Sequence, residues 1–205
     1  MRILYVIFSL LMGYLIGGIN AAYLIGRVKG IDIRKKGSGN AGASNAAVVM
    51  GRGVGAFAAV FDIAKAFAAV KLAALFFPTL AVAGVLGGTA CILGHIFPVF
   101  MGFRGGKGLA CLAGAALALD WKVFFILLAL EAVLVLVVDY ICVVPMTGTV
   151  LFTIAYAWRT HSLVGALAFA VVSVVILCKH RINIERIRNK EEIPFSYLWT
   201  KKKKK

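Results

Sequence analysis

The sequence predicts an all-α integral membrane protein of about seven transmembrane helices, its N-terminus outside and its C-terminus in the cytoplasm. Three observations predict it. Of 205 residues, 62% are hydrophobic and 15% charged, whereas soluble domains carry roughly 45–50% apolar and about 25% charged residues, so a water-soluble core cannot hide the excess. Successive apolar stretches are separated by charge and turn residues. The cations fall unequally on alternate loops. The same composition excludes a disordered chain, and it excludes a nucleic-acid-binding module because the net charge of +15 is not carried by a polar domain. Anionic membrane lipid or a phosphorylated substrate is the expected partner.

A spanning helix needs about 20 mostly apolar residues. Residues 3–25 follow a single Arg2 and exceed the roughly 7–15-residue apolar region of a secretory signal, so they are expected to remain as an uncleaved first helix. The next spans are 53–77, which stops at Pro78, and 79–99, which stops before the segment around Gly105 and Gly106. A short span at 108–119 ends at Asp120-Trp121-Lys122, and 123–138 ends at Asp139. The last two are 141–158, closed by Arg159-Thr160-His161, and 162–178, closed by the basic run from Lys179. Residues 1–200 read as one polytopic membrane domain and 201–205 as a polybasic cytoplasmic tail. Cys91, Cys111, Cys142 and Cys178 lie far apart in or at the ends of apolar runs and read as small hydrophobes.

Loops rich in Lys and Arg stay on the cytoplasmic side. With the N-terminus outside, the inner loops hold Arg27, Lys29, Arg34, Lys35, Lys36, Arg52, Arg104, Lys107 and every Lys and Arg from Lys179 onward, 18 in all, against 3 outside, Arg2, Lys122 and Arg159. Lys65 and Lys71 lie within a span, where Asp62 and Lys65, three apart, are expected to pair. The 26–52 loop, the 100–107 loop and the C-terminal segment therefore share one face, and they hold the unusual polar chemistry.

The first polar cluster is Gly37-Ser38-Gly39-Asn40-Ala41-Gly42-Ala43-Ser44-Asn45, behind Arg34-Lys35-Lys36. Small residues let backbone N–H groups approach a ligand, and a glycine-rich turn leading into a helix makes an anion site. The bland alternative is a flexible loop whose cations only set topology. The second cluster runs from Gly94-His95 through Phe103-Arg104-Gly105-Gly106-Lys107-Gly108, where a phosphate fits between backbone amides and two cations. It is not a Walker A sequence. His95 sits at the membrane edge, as a packing residue or a functional one. The third is Lys179-His180-Arg181-Ile182-Asn183-Ile184-Glu185-Arg186-Ile187-Arg188; as a helix it sets His180, Asn183 and Ile187 on one face, Asn183 placed to orient the imidazole or bind a substrate hydroxyl. Its bland reading is an amphipathic helix snorkelling cations to anionic lipid.

Gly-Ser-Gly-Asn-x-Gly-Ala-Ser-Asn at 37–45, Gly-His-x-Phe-Pro-Val-Phe-x-x-Phe-Arg-Gly-Gly-Lys-Gly at 94–108 and His-x-x-Asn-Ile-x-Arg at 180–186 resemble, in order and spacing, the three motifs of the bacterial acyl-phosphate-dependent glycerol-3-phosphate acyltransferases. The resemblance implies a multi-pass enzyme of the bacterial cytoplasmic membrane. It would transfer an acyl group from acyl phosphate to the 1-hydroxyl of glycerol 3-phosphate, giving lysophosphatidic acid and phosphate, without acyl-CoA, metal or cofactor. Acyl phosphate is already activated, so alignment and electrostatic preorganisation suffice. Lys107 and Arg104 are assigned to phosphate, with the backbone of Gly105, Gly106 and Gly108 and, in the first motif, Gly39 and Asn45. Ser38 and Asn40 orient donor or acceptor, Ser38 as a nucleophile being the lesser variant for want of an adjacent base. His95, His180 and Asn183 position the acceptor hydroxyl or share its proton. The family usually carries an Arg ten residues after the motif Ser, where this chain has Val48; Arg52, one turn further along a continuous helix, is the expected substitute. Lys190 and Ala66 also stand where the family has Gly. Val48 keeps open a divergent member with altered acceptor or no activity, and the basic loops keep open a small anion transporter.

Overall fold

The computed structural model describes residues 1–196, so the expected tail at 201–205 lies outside the described residues. Their regular secondary structure is all helical, with nine α-helices and two short 3-10 turns, in two units divided after Leu119. Four segments are long and apolar enough to cross a membrane, Arg2–Val28, Ala83–Met101, Trp121–Val138 and Leu163–Arg188. Six of the expected spans each overlap one α-helix and the first overlaps two, so among the described residues four segments, not seven, have the length and apolarity of a span.

In the first unit, α1 (Arg2–Gly18) and α2 (Ala21–Val28) replace the single helix expected over 3–25. Asn20 makes the break: its backbone is extended and its side-chain Oδ1 accepts the Tyr23 N–H at 2.8 Å, capping α2. After a 3-10 turn at Ile33–Lys35 come α3 (Ala43–Met50) and α4 (Arg52–Phe76), parted by Gly51 at φ +98°, a conformation that L side chains rarely adopt. Then follow α5 (Ala83–Ile96), a 3-10 turn at Val99–Met101, and α6 (Leu109–Leu119).

Helix α5 is the core. Its packing works through glycine: a Cβ on Gly13 or Gly17 of α1 would fall on the carbonyl oxygen of Gly87 or Cys91, and one on Gly94 would fall on that of Tyr14. In a membrane, where apolar surface gains nothing by leaving lipid, such close backbone approach is a main source of helix association. Helix α6 is about 16 Å long by helical rise and packs likewise, Gly114 lying against the Ile63 carbonyl of α4. Lys71 Nζ donates to Ala118 O at 2.8 Å, placing a cation at the C-terminal end of α6.

The second unit holds α7 (Trp121–Val138), α8 (Val143–Thr160) and α9 (Leu163–Arg188). Asp120 caps α7 and pairs with Arg159 Nε at 2.6 Å. Ser173 of α9 hydrogen-bonds Thr149 and Thr153 of α8, each at 3.0 Å, beside an edge-on Phe152–Phe169 contact. Beyond α9 the chain folds back: Asp139, at φ +67° between α7 and α8, accepts both the N–H and the hydroxyl of Ser196, at 2.6 and 2.8 Å.

Candidate functional site

The first glycine loop owes its shape to Asn45. Gly37 and Gly39 take positive φ, and the buried Asn45 side chain sits beneath them, accepting Ser38 N–H at 2.9 Å while its Nδ2 donates to Ile33 O and Lys36 O at 3.1 and 3.0 Å. Asn45, expected among the substrate ligands, thus commits its amide to holding the loop. Ser38 is exposed at the loop tip, its Oγ accepting Asn40 N–H at 3.5 Å. From there the chain enters α3 at Ala43, so the loop delivers its amides to a helix N-terminus as the sequence predicts.

The second glycine loop has the same plan. Gly105 N–H donates to Ile96 O at 3.2 Å and Gly106 N–H to His95 O at 3.1 Å, which folds the turn back on the end of α5. Gly108, at φ +91°, then turns the chain into α6. Lys107 is half-buried in this turn, and Arg104 is exposed. A cavity of about 340 Å³ is lined by Asp32, Arg34, Lys35, Met101, Gly102 and Arg104.

The two loops are joined. Ala41 N–H donates to Gly105 O at 3.4 Å, and Arg34 Nη1 donates to Met101 O at 2.7 Å. Arg34 is held by a fork from Asp32, with Nε to Oδ1 at 2.9 Å and Nη2 to Oδ2 at 2.8 Å, and the hydrogen bond from its guanidinium keeps the Asp32 carboxyl well below the usual carboxylate range. The structure therefore brings Ser38, Gly39, Asn40, Arg104, Gly105, Gly106, Lys107 and Gly108 onto one pair of connected loops.

Behind them lies a buried polar cluster. Lys65 Nζ is 2.7 Å from Asp62 Oδ1, as the expected pairing requires, 3.1 Å from His95 Nδ1 and 2.6 Å from Ile19 O. His95 is 3% exposed, its ring packed against Gly106. Asp62, His95 and Cys111 bring ligand atoms of metal-binding type within 4.8 Å of one another. The Lys65 ammonium already supplies the positive charge at that spot. Asn20, 2% exposed, extends the cluster by donating Nδ2 to Ala41 O at 2.8 Å. No sequence signal singled out Asn20, because its partner is a backbone carbonyl.

In the second unit, α9 continues through the third motif and buries His180 and Asn183, as its helical spacing predicts. The orienting bond of the His180 ring runs from Nδ1–H to Ile176 O at 2.8 Å. Asn183 Nδ2 donates to Glu192 Oε1 at 2.8 Å, so a carboxylate beyond the helix, which sequence reasoning passed over, fixes the amide.

Arg52 is not where a continuous helix would put it. Gly51 divides Val48, 79% exposed on α3, from Arg52, exposed at the start of α4, so the one-turn geometry behind the expected substitution is absent.

The profile of the family described as "Glycerol-3-phosphate acyltransferase" matches residues 7–190. The chain belongs to this family. A glycerol-3-phosphate acyltransferase of Mesorhizobium japonicum is 37% identical over 182 residues, covering 88% of this chain and 91% of the relative. Glycerol-3-phosphate acyltransferase 1 of Oceanobacillus iheyensis is 34% identical, with 97% and 99% covered. Among solved structures, PlsY (YgiH), an integral membrane glycerol 3-phosphate acyltransferase, superposes in its glycerol 3-phosphate form with a TM-score of 0.85 at 29% identity, covering 94% of this chain and 96% of that one. Its lysophosphatidic acid form gives 0.82 at 28%. The motif resemblance is upheld: the chain is an acyltransferase and a multi-pass membrane protein.

Proposed function

We propose that this acyltransferase moves an acyl group from acyl phosphate to the 1-hydroxyl of glycerol 3-phosphate, giving lysophosphatidic acid and phosphate. The observation that carries the reading is the joined pair of glycine loops, each entering a helix N-terminus and together presenting Arg104 and Lys107. Backbone N–H groups and two cations suit a phosphate that must first be gripped and then released. The hydroxyl oxygen forms the new bond to the acyl carbon, the bond from that carbon to the phosphate oxygen breaks, and the hydroxyl proton leaves with phosphate. Because the leaving group is good, the protein has chiefly to align the reactants. Lys107, Arg104 and the 105–108 backbone hold the donor phosphate. Ser38 and Asn40 orient a reactant. The protein resides in the bacterial cytoplasmic membrane among anionic lipids.

The test is purified protein with acyl phosphate and glycerol 3-phosphate. Lysophosphatidic acid and phosphate released in equal amounts are expected; phosphate flux into proteoliposomes without product would favour a transporter instead.

All seven helices α1, α4, α5, α6, α7, α8 and α9 cross the membrane in this reading, with the N-terminus outside and the glycine loops in the cytoplasm, on the 18:3 distribution of cations. Single cysteines at Gly53 and Asn189 should react with an impermeant thiol reagent only from the cytoplasmic side. Periplasmic labelling of either would overturn the topology.

The break at Gly51 carries its own prediction. Arg52→Ala should leave the Michaelis constant for glycerol 3-phosphate within about twofold, whereas Val48→Arg, restoring a guanidinium one turn beyond the loop-holding Asn45, should lower it. Steady-state kinetics on the two variants check this; a large rise with Arg52→Ala would return Arg52 to the site.

A further inference from the structure

We propose that Lys65 is a positioning residue: a buried ammonium in α4 that fixes the two glycine loops against each other through a closed ring of hydrogen bonds. The inference rests on the reading that those loops hold the phosphate. The ring can be followed bond by bond. Lys65 Nζ donates to Ile19 O at 2.6 Å, at the break between α1 and α2. The next residue, Asn20, donates its side-chain amide to Ala41 O in the first loop at 2.8 Å. Ala41 N–H donates to Gly105 O of the second loop at 3.4 Å, and Gly106 N–H donates to His95 O at 3.1 Å. His95 Nδ1, 3.1 Å from Lys65 Nζ, closes the circuit.

An ammonium has three hydrogens and no acceptor. Lys65 Nζ lies within hydrogen-bond distance of Ile19 O and His95 Nδ1, and Asp62 Oδ1, 2.7 Å away, pairs with its charge. At 6% exposure the ammonium is shut away from a substrate anion. His95 Nδ1 faces both Lys65 Nζ at 3.1 Å and Asp62 Oδ1 at 3.4 Å, while Nε2, on the other side of the ring, is packed against Gly106. His95 is then the floor of the second loop, and acts through that loop. Asp62 supplies the charge that makes a buried ammonium tolerable. A ring of this kind transmits small displacements, because each member has few alternative partners in an apolar interior.

The test separates positioning from bulk stability. Lys65→Met with Asp62→Asn removes both charges together, so neither is left buried and unpaired. Lys65→Gln with Asp62→Asn keeps two donor hydrogens where Met has none. Asn20→Ser touches no charge and retains a hydroxyl to cap α2, but is too short for Ala41 O. In detergent-solubilised full-length protein, amide exchange is followed in peptides over 37–43 and 103–108. Both the Met double variant and Asn20→Ser should speed exchange in both loops about tenfold, with unchanged thermal midpoints. The Gln double variant should fall between them and the parent. The Michaelis constant for acyl phosphate should rise in the same order, more than kcat falls, and joining Asn20→Ser to the Met double variant should add little, since one ring is already open. Unchanged exchange in either loop, or equal behaviour of Met and Gln, would overturn the proposal. A parent protein that forms no lysophosphatidic acid overturns the acyltransferase reading instead, and the exchange measurement then decides the ring alone.

Discussion

Lys107→Ala is expected to lower kcat/KM for acyl phosphate roughly ten- to 150-fold, the loss that follows from removing one charge-assisted hydrogen bond worth about 1.5–3 kcal/mol from a shielded site. The reason is local. Lys107 is the cation inside the turn that Gly106 and Gly108 fold between α5 and α6, so its side chain cannot leave without taking the positive charge away from the backbone amides. Lys122→Ala is the comparison, because Lys122 lies in the first turn of α7 with its Nζ over the Trp121 ring at 5.6 Å. That variant should retain the parent's turnover. Reaction rates over a series of acyl phosphate concentrations separate the two, and equal activity at equal folded yield would remove Lys107 from the phosphate site. Because the donor phosphate must be held through the transition state as it becomes free phosphate, the loss should fall on kcat as well as on KM.

The sequence discloses helices more readily than the places where they stop. Apolar runs locate the long helices because hydropathy is a sum over many residues, and the sum over 3–25 stays high across Asn20. One amide that caps α2 and reaches Ala41 O is enough to break the helix, and no average registers it. Gly51 is hidden in the same way: a lone glycine in a helical pattern reads as tolerated, and only its φ of +98° shows that Val48 and Arg52 belong to different helices. At the site, residue types found the two glycine loops and the Asp62–Lys65 pair, since glycine runs and charges three apart are visible in one dimension. The connection between the loops was not visible. It runs through the carbonyl groups of Ile19, Ala41, His95 and Gly105, which every residue possesses. Glu192 escaped for a related reason, as it reaches Asn183 only because the chain turns back after α9.

The second large effect concerns the seam that aims α5 at the loops. Gly17→Ala should destabilise the protein and Gly53→Ala should not, although both replace a helical glycine by the same residue. In an exposed helix interior the change to Ala is favourable by roughly 0.8–1.0 kcal/mol, from backbone entropy alone. Gly53 is exposed in the first turn of α4, where the gain is smaller, and a Cβ there would find nothing within 4 Å. A Cβ at Gly17 would fall on the Cys91 carbonyl oxygen, so α1 must back away from α5, and the Gly13–Gly87 and Gly94–Tyr14 approaches open with it. Overpacking of this kind costs typically about 1–3 kcal/mol, more than the entropy gained. The shift also reaches the site, because α5 ends at His95 and Ile96, whose carbonyls hold Gly106 and Gly105, and Tyr14 of α1 donates its hydroxyl to Phe97 O at 2.6 Å just beyond. Thermal unfolding in detergent should therefore show Gly17→Ala several degrees below the parent and Gly53→Ala at or slightly above it. Gly17→Ala should lose activity even below its unfolding midpoint. Equal midpoints for the two variants would mean that the α1–α5 backbones are not in contact.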